Sequence, residues 1–300
     1  MQIAITGASG LIGRALGTTL REDGHGVRPV TRGGAGDGDA IGWDPVAGTI
    51  DAAALEGIDA VVHLAGEPIA AGPWTAKQRA KIGDSRSEGT TLLAHTLASL
   101  DRPPAVLLSG SAVGAYGNRG DEVLTEASAL GTGFLPDVCR DWEAATATAA
   151  AAGIRVANLR TGIVLAGKGG ALGAQLPIFK LGLGGKAGDG TQWMPWIALS
   201  DEVAAIRFLL ESDVAGPVNL VSPQPVTNRD FTKALGRALH RPTVLTVPRL
   251  VRHLPIGIGD LLGSLLFDSL RVEPGVLTAA GFTPRHTDLD EALGSILGRR

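Results

Sequence analysis

The sequence predicts an α/β protein, a doubly wound parallel sheet followed by a smaller C-terminal lobe. Short apolar runs alternate with helical patterns from Gln2 to Leu159, and a glycine turn joins the first run to the first helix. After Arg160 the texture changes to a glycine-rich stretch and then to helices separated by prolines. Alternation of this kind implies parallel strands with helices on both faces. A chain of 300 residues is long enough for one large α/β unit or two modest domains.

Gln2 to Thr6 reads as a strand, and Leu11 to Glu22 as a helix stopped by Gly24 and Gly26. Further strands are expected at Val27 to Thr31, Ala40 to Trp43, Ala60 to Leu64, Ala105 to Leu108 and Ile154 to Leu159. Pro29 conflicts with a central strand because it has no N–H to donate. Thr75 to Leu100 carries a helical pattern broken near Gly83, and Leu135 to about Ala152 a second one. A helix opening near Ser200 and a strand from Gly216 to Val221 return the chain to the sheet. Thr227 to Leu239, Val251 to Leu266 and Leu289 to Leu297 are helical stretches between Pro242, Pro248, Pro255, Pro274 and Pro284. The expected division is residues 1–170 plus about 200–222 for the sheet domain, with 171–199 and 223–300 forming the smaller lobe.

Twenty-seven basic and thirty acidic side chains give a net charge of -3, with no basic block fit to neutralise a row of phosphates. Nucleic acid is therefore not the expected partner. With Cys139 as the one cysteine, neither an internal disulfide nor a multi-thiolate metal site can form, and no metal is expected. The chain reaches a strand and a glycine turn within ten residues, leaving no room for a secretion signal. Its most apolar late stretch, Leu254 to Leu270, is interrupted by Asp260 and Asp268, so no membrane span is expected. These features point to a cytoplasmic protein with a small-molecule substrate, as a monomer or homodimer.

The segment Thr6-Gly7-Ala8-Ser9-Gly10-Leu11-Ile12-Gly13 lies directly between a strand and a helix, the context that gives a glycine pattern its meaning. Glycine allows the tight turn and the close approach of a diphosphate, and the free N–H groups of the helix start favour its charge. Gly7, Ser9, Gly10, Leu11, Ile12 and Gly13 are thus candidate dinucleotide contacts. About 20 residues on, where an acidic residue would accept from the ribose hydroxyls of NAD, stand Thr31 and Arg32. A guanidinium suits a 2′-phosphate, so NADP(H) is the expected cofactor. Asp44 either accepts from the adenine amino group or forms a turn.

Further along stand His63-Leu64-Ala65-Gly66-Glu67-Pro68-Ile69, Trp74 with Ser85-Arg86, and Ser109-Gly110-Ser111. Cys139 to Glu143, Leu181 to Gly185 and Trp196-Ile197 complete the set. Together with the glycine turn these resemble the extended short-chain dehydrogenase/reductases, and more closely the atypical epimerase family branch, NAD-dependent epimerase/dehydratase-like and NADP-binding. The resemblance spans essentially the whole chain and implies a Rossmann-like fold with a C-terminal substrate lobe.

It implies that His63, Leu64, Ala65 and Gly66 lie against the cofactor, although for the side chain of His63 a satisfied strand-end histidine is the favoured reading. Arg86 takes the place of an asparagine, where it meets a cofactor phosphate or an acidic substrate, or else pairs with Glu67 or Glu88. Ser111 matches the catalytic serine, with Ser109 as second choice. The Tyr-x-x-x-Lys pair of the family is absent: anchoring on Glu143 puts Leu135 in the tyrosine's place and Cys139 in the lysine's. Cys139 either faces the cofactor or packs as a small hydrophobe. Glu67, Tyr116 or a water would then serve as acid or base.

Arg160 falls where the chain passes the nicotinamide. Phe179 to Lys186, with Gln192, Trp193 and Trp196, resembles a substrate-side loop, the tryptophans stacking on a ligand or packing between lobes. Ser200-Asp201-Glu202 reads as a helix cap with acids in the first turn. The implied activity is that of an oxidoreductase or epimerase (isomerase) acting on a small carbonyl, hydroxyl or nucleotide-sugar substrate. The alternative is a non-catalytic NADP(H)-dependent regulatory or binding protein.

Overall fold

The computed structural model describes residues 1–33 and 39–298. Its first half runs β1 (Gln2–Thr6), α1 (Leu11–Glu22), β2 (Gly26–Thr31), β3 (Ile41–Asp44), β4 (Thr49–Ile50), α2 (Ala52–Leu55), β5 (Ala60–His63), α3 (Ala76–Ala98), β6 (Val106–Ala112), β7 (Val123–Leu124), α4 (Phe134–Ala144) and α5 (Ala147–Ala151). It continues with β8 (Arg155–Thr161), β9 (Ile163–Leu165), α6 (Gly170–Lys180), β10 (Gly185–Ala187), β11 (Trp193–Met194), β12 (Trp196–Ala198), α7 (Leu199–Glu211) and β13 (Gly216–Leu220). The last part holds β14 (Val226–Thr227), α8 (Asn228–Leu239), β15 (Leu245–Val247), α9 (Ile258–Phe267), β16 (Arg271–Val272), α10 (Gly275–Ala279) and α11 (Leu289–Ile296).

Eight strands form the central sheet in the order β13-β8-β6-β5-β1-β2-β3-β4. All neighbours are parallel except β4, which turns back antiparallel on β3. Side chains alternate across it as the two-residue strand period requires. Ile3, Ile5, Val62, Leu108 and Leu159 enter one core with Leu16 and Leu20 of α1 and Ile206 and Leu209 of α7. Ala4, Val61, Leu107 and Val156 enter the other with Leu93 and Leu97 of α3. The expected α/β sheet with helices on both faces is therefore what forms. Because β1 leads to β2 on one side while β5 flanks it on the other, the order reverses at β1/β5. Such a switch point, at the carboxyl ends of the strands, is where a doubly wound sheet places its ligand crevice.

Pro29 does sit in a strand. It pairs with Ile5 of β1, while β3 joins β2 only from Val30 onward, so the outer side of Pro29 has no strand to which an N–H is owed. Three element boundaries differ from the sequence reading. α3 runs unbroken through Gly83, where an added Cβ would meet nothing, so this glycine costs only about 1 kcal/mol of helix propensity. The helix after Phe134 ends at Ala144, where the Thr146 hydroxyl donates to the carbonyl of Glu143 (2.7 Å). The expected Val251 to Leu266 helix is instead a 3₁₀ turn over Arg249–His253 and then α9, separated by Pro255 and by Ile256 and Gly257 at φ 63° and 75°. The short pairs β10/β15, β11/β14, β12/β9 and β16/β7 were not foreseen. Of these, β12/β9 and β11/β14 border a third core in which Trp196, Phe231 and Leu235 pack with Leu289 and Leu293.

Candidate functional site

The crevice begins at the turn after β1. Gly7 has φ 66°, and a Cβ there would lie 2.8 Å from the carbonyl carbon and oxygen of Leu64. A Cβ on Gly13 would fall 2.3 Å from the carbonyl oxygen of Gly7. Both glycines therefore let three backbone segments meet: the turn, the start of α1, and residues 64–65 after β5. Gly10 caps α1 without a side-chain acceptor, and no acid stands in the first turn. The free N–H groups and positive helix end face the crevice without an internal counter-charge, which suits an anion. Ser9 and Gly10 are exposed there, with Leu11 and Ile12 half-buried behind them. The β1/β2 register sets Thr6 opposite Val30, so Thr31 and exposed Arg32 emerge at the same edge.

Thr6 fastens this crease. Its hydroxyl oxygen accepts from the N–H groups of Leu64 (3.0 Å) and Ala65 (3.1 Å) and lies 2.7 Å from His63 Nδ1. With its acceptor sites taken, the Thr6 hydroxyl donates to Nδ1, and Nε2–H then donates to Thr90 Oγ1 (3.0 Å). Burial pushes the His63 pKa down to about 4, so the ring is neutral. The candidate cofactor contact from His63 is thereby corrected: the side chain is fully buried and satisfied, and it ties β1, β5 and α3 together. The backbone of Leu64 and Ala65 lies against the crease.

A second cluster lies at the carboxyl ends of β6 and β8. Ser111 Oγ donates to Glu143 Oε1 (2.7 Å). Arg160 clamps both oxygens of Glu143 through Nε and Nη2 (2.8 Å each). Arg160 Nη1 donates to the Tyr116 hydroxyl (3.0 Å), which donates in turn to Asn219 Oδ1 (2.7 Å). Burial would lower the Arg160 pKa, but its bonds to Glu143 and Tyr116 outweigh that and raise it. The Tyr116 pKa is raised, mainly by burial. Tyr116 is fully buried and bonded on both sides of its oxygen, which corrects its candidacy as acid or base. Arg160 is likewise corrected from cofactor contact to the residue that positions Glu143. Sequence reading used Glu143 as an alignment anchor and missed it as a functional group. The available signal was a carboxylate one turn beyond Cys139 on the helix face meant for the missing lysine.

Other candidates leave the site. Ser109 is fully buried and makes only a long contact to the carbonyl of Gly110 (3.5 Å). Asp44 uses Oδ1 to accept from the N–H groups of Val46 and Ala47 (3.0 Å each), which is the turn-forming alternative. Cys139 is buried, and burial with the nearby Glu143 pushes its thiol pKa up to about 11, so it packs as a thiol. Trp196 is buried, its indole donating to the carbonyl of Gln224 (3.1 Å), which removes it as a ligand platform. Trp193 is half-buried beneath the Arg271 guanidinium, 4.7 Å away. Glu67 remains on the crevice loop, its carboxylate accepting from Gln78 Nε2 (3.3 Å). Arg86 lies beneath that loop, its guanidinium carbon 3.3 Å from where a Gly66 Cβ would stand.

The acids opening α7 are not a solvated cap. Ala198 occupies the cap position, Asp201 accepts from the N–H groups of Arg285 (3.0 Å) and His286 (2.9 Å), and Glu202 accepts from Thr161 Oγ1 (2.8 Å). Glu202 is fully buried, and burial pushes its pKa up to about 8 from 4.5. Between those values the folded state holds a proton that the unfolded state has released, so stability falls as pH rises through the window. Glu202→Gln is expected to match the parent near pH 5 and to exceed it increasingly toward pH 8. Urea unfolding at both pH values checks this, each pKa unit being worth about 1.4 kcal/mol.

The chain has clear relatives. A family model described as "NAD dependent epimerase/dehydratase family" matches residues 3–221, and one described as "Domain of unknown function (DUF1731)" matches residues 247–296. The epimerase family protein Mb2239 of Mycobacterium bovis is 42% identical over 97% of this chain and 96% of its own length. The chloroplastic SDR39U1 homolog of Arabidopsis thaliana is 33% identical over 99% of this chain and 87% of its own length. Among solved structures, human epimerase family protein SDR39U1 (isoform 2), crystallised with NADPH, matches at TM-score 0.89 and 31% identity, with 99% of each chain covered. A nucleoside-diphosphate sugar epimerase from Corynebacterium glutamicum matches at TM-score 0.82 and 38% identity over 99% of this chain. The chain spans 58% of that protein's length. With the glycine crease, the strand order and these matches in agreement, the chain belongs to the NAD dependent epimerase/dehydratase family.

Proposed function

We propose that the chain binds NADP(H) in the β1/β5 crevice and acts as an oxidoreductase or epimerase on a small carbonyl, hydroxyl or nucleotide-sugar substrate. The observation that carries this reading is the uncapped, acid-free start of α1 meeting a crease that admits no Cβ. Gly7, Gly10 and Gly13 would hold the diphosphate, Leu64 to Gly66 the middle of the dinucleotide, and Thr31 and Arg32 the 2′-phosphate. The NADPH in the human relative supports the phosphorylated form. A nicotinamide bound here would supply or accept hydride.

The chain's own residues handle the proton. Ser111 points its O–H at Glu143, so its oxygen is free to accept from a substrate hydroxyl while Glu143 takes the proton onward. Arg160 keeps the carboxylate fixed by donating to both of its oxygens. This pair stands in for the absent Tyr-x-x-x-Lys. One observation favours the non-catalytic alternative: Leu135 and buried Cys139 offer no acid or base where the family keeps its own.

Arg32→Ala tests the cofactor assignment. Loss of a charge-assisted bond costs about 1.5–3 kcal/mol, so NADPH affinity should fall roughly 10- to 100-fold. NADH affinity should change by less than about 3-fold, and fluorescence titration reads both. Equal losses would refute the assignment.

A further inference from the structure

Arg86 is held by Nη1, which donates to the carbonyls of Glu67 (2.9 Å) and Ile82 (3.0 Å), and its guanidinium lies 4.9 Å from the Trp142 ring. The other nitrogens of its fork make no hydrogen bond among the described residues. No carboxylate there lies within ion-pair distance of it, whereas Arg79 has Asp260 and Arg160 has Glu143. Glu67 offers only its carbonyl and turns its carboxylate to Gln78. Trp142 Nε1 is itself buried without an acceptor. Burial lowers the pKa of Arg86, yet a guanidinium stays charged. The cluster is thus rich in donors and short of acceptors, and a half-buried cation left unpaired is costly.

Its place in the crevice shows which anion it suits. Trp142 packs on Gly110 of β6, where an added Cβ would lie 2.7 Å from the indole. Gly110 and Trp142 are the chain neighbours of Ser111 and Glu143, whose side chains bond to each other. β6 stands two strands from the phosphate-binding crease at β1, about 10 Å at the usual strand spacing. Arg86 therefore lies beside the elements that carry Ser111 and Glu143, beneath the loop that follows β5.

We propose that Arg86, stacked on Trp142, is the receptor for an oxyanion on the substrate, a carboxylate or a phosphate ester, bound through the free side of its fork. The inference deepens the proposed function by naming the substrate as an acid, and it depends on that reading only for the substrate's reaction. A planar fork presenting parallel donors fits either oxyanion.

The test uses acetate and inorganic phosphate as probes, titrated against the full-length protein with and without saturating NADPH, at ionic strength matched with chloride. Tryptophan emission is expected to respond to at least one probe, since Trp142 reports on Arg86, and Trp142→Phe should remove that response. Arg86→Gln keeps a donor for the Glu67 and Ile82 carbonyls, and it should weaken the responding probe at least about 10-fold with NADPH affinity changed less than about 3-fold. Arg86→Lys, which keeps charge without the fork, should fall between. A response to acetate alone assigns a carboxylate, and one to phosphate alone a phosphate ester. No response to either probe, an unchanged response in Arg86→Gln, or a loss of NADPH affinity matching the loss of probe would overturn the inference. Failure of the parent protein to bind NADPH, with the anion response intact, would instead strike the proposed function.

Discussion

Gly7→Ala should abolish dinucleotide binding and lower stability by about 2–4 kcal/mol. The alanine would have to hold φ 66°, a conformation that L side chains rarely adopt, and push its methyl group to 2.8 Å from the Leu64 carbonyl. That carbonyl belongs to a backbone segment pinned by Thr6, which accepts from both Leu64 and Ala65, so it cannot yield without opening the crease. A shifted crease moves the free N–H groups of α1 away from the segment after β5, and NADPH affinity should drop at least about 100-fold. Gly10→Ala is the matched comparison. Gly10 has φ -72°, and its Cβ would meet only the Gly7 carbonyl oxygen at 3.2 Å, so the fold should be far less affected. Urea unfolding and fluorescence titration of the two variants side by side check this order, and an equal cost for both would mean that the crease is not the rigid element described here.

The second large effect is expected at Arg160. Its side chain is 5% exposed and that of Glu143 13%, so Arg160→Ala leaves a carboxylate almost without water or counter-charge. Removing one member of such a pair costs about 3–5 kcal/mol. Replacing both partners with apolar residues, Arg160→Met with Glu143→Leu, should recover much of that loss, because no lone charge is then left inside. Chemical denaturation of the two single variants and the double variant completes the cycle. Glu143→Gln separates stability from chemistry: it preserves shape but cannot take a proton. Turnover of any substrate found for the parent should fall about 10²- to 10⁴-fold while NADPH binding is retained.

What was legible in the sequence is what is local. The crease needs three glycines within eight residues, and their reason for being there is visible from the strand before and the helix after. The main strands announced themselves as apolar runs bounded by glycine, and the structure adjusts them by only a few residues. The small paired strands could not be read, because β16 finds its partner β7 almost 150 residues earlier in the chain and neither has two faces to alternate. Pro29 misled for a related reason, since whether its outer side faces a strand depends on where β3 begins.

The polar cluster shows the same limit. Ser111 and Tyr116 are five residues apart, yet one bonds Glu143 and the other turns to Asn219 across the sheet. As the chain's one tyrosine, Tyr116 is a natural candidate for acid or base, whereas tertiary packing makes it a buried support. His63 and Glu202 carry the converse lesson. Residue types that suggest chemistry were placed by burial in the core, one a neutral ring with both nitrogens hydrogen-bonded and the other with its pKa pushed to about 8.

The central claim is that the glycine crease and the bare start of α1 form a dinucleotide phosphate site, completed by Arg32 for the 2′-phosphate. Isothermal titration calorimetry of the folded full-length protein with NADPH and with NADH tests it most directly. The expected result is one-to-one binding of NADPH, tighter than that of NADH by about 10-fold or more. An absence of binding heat for both nucleotides across several temperatures, from protein shown to be folded, would contradict it.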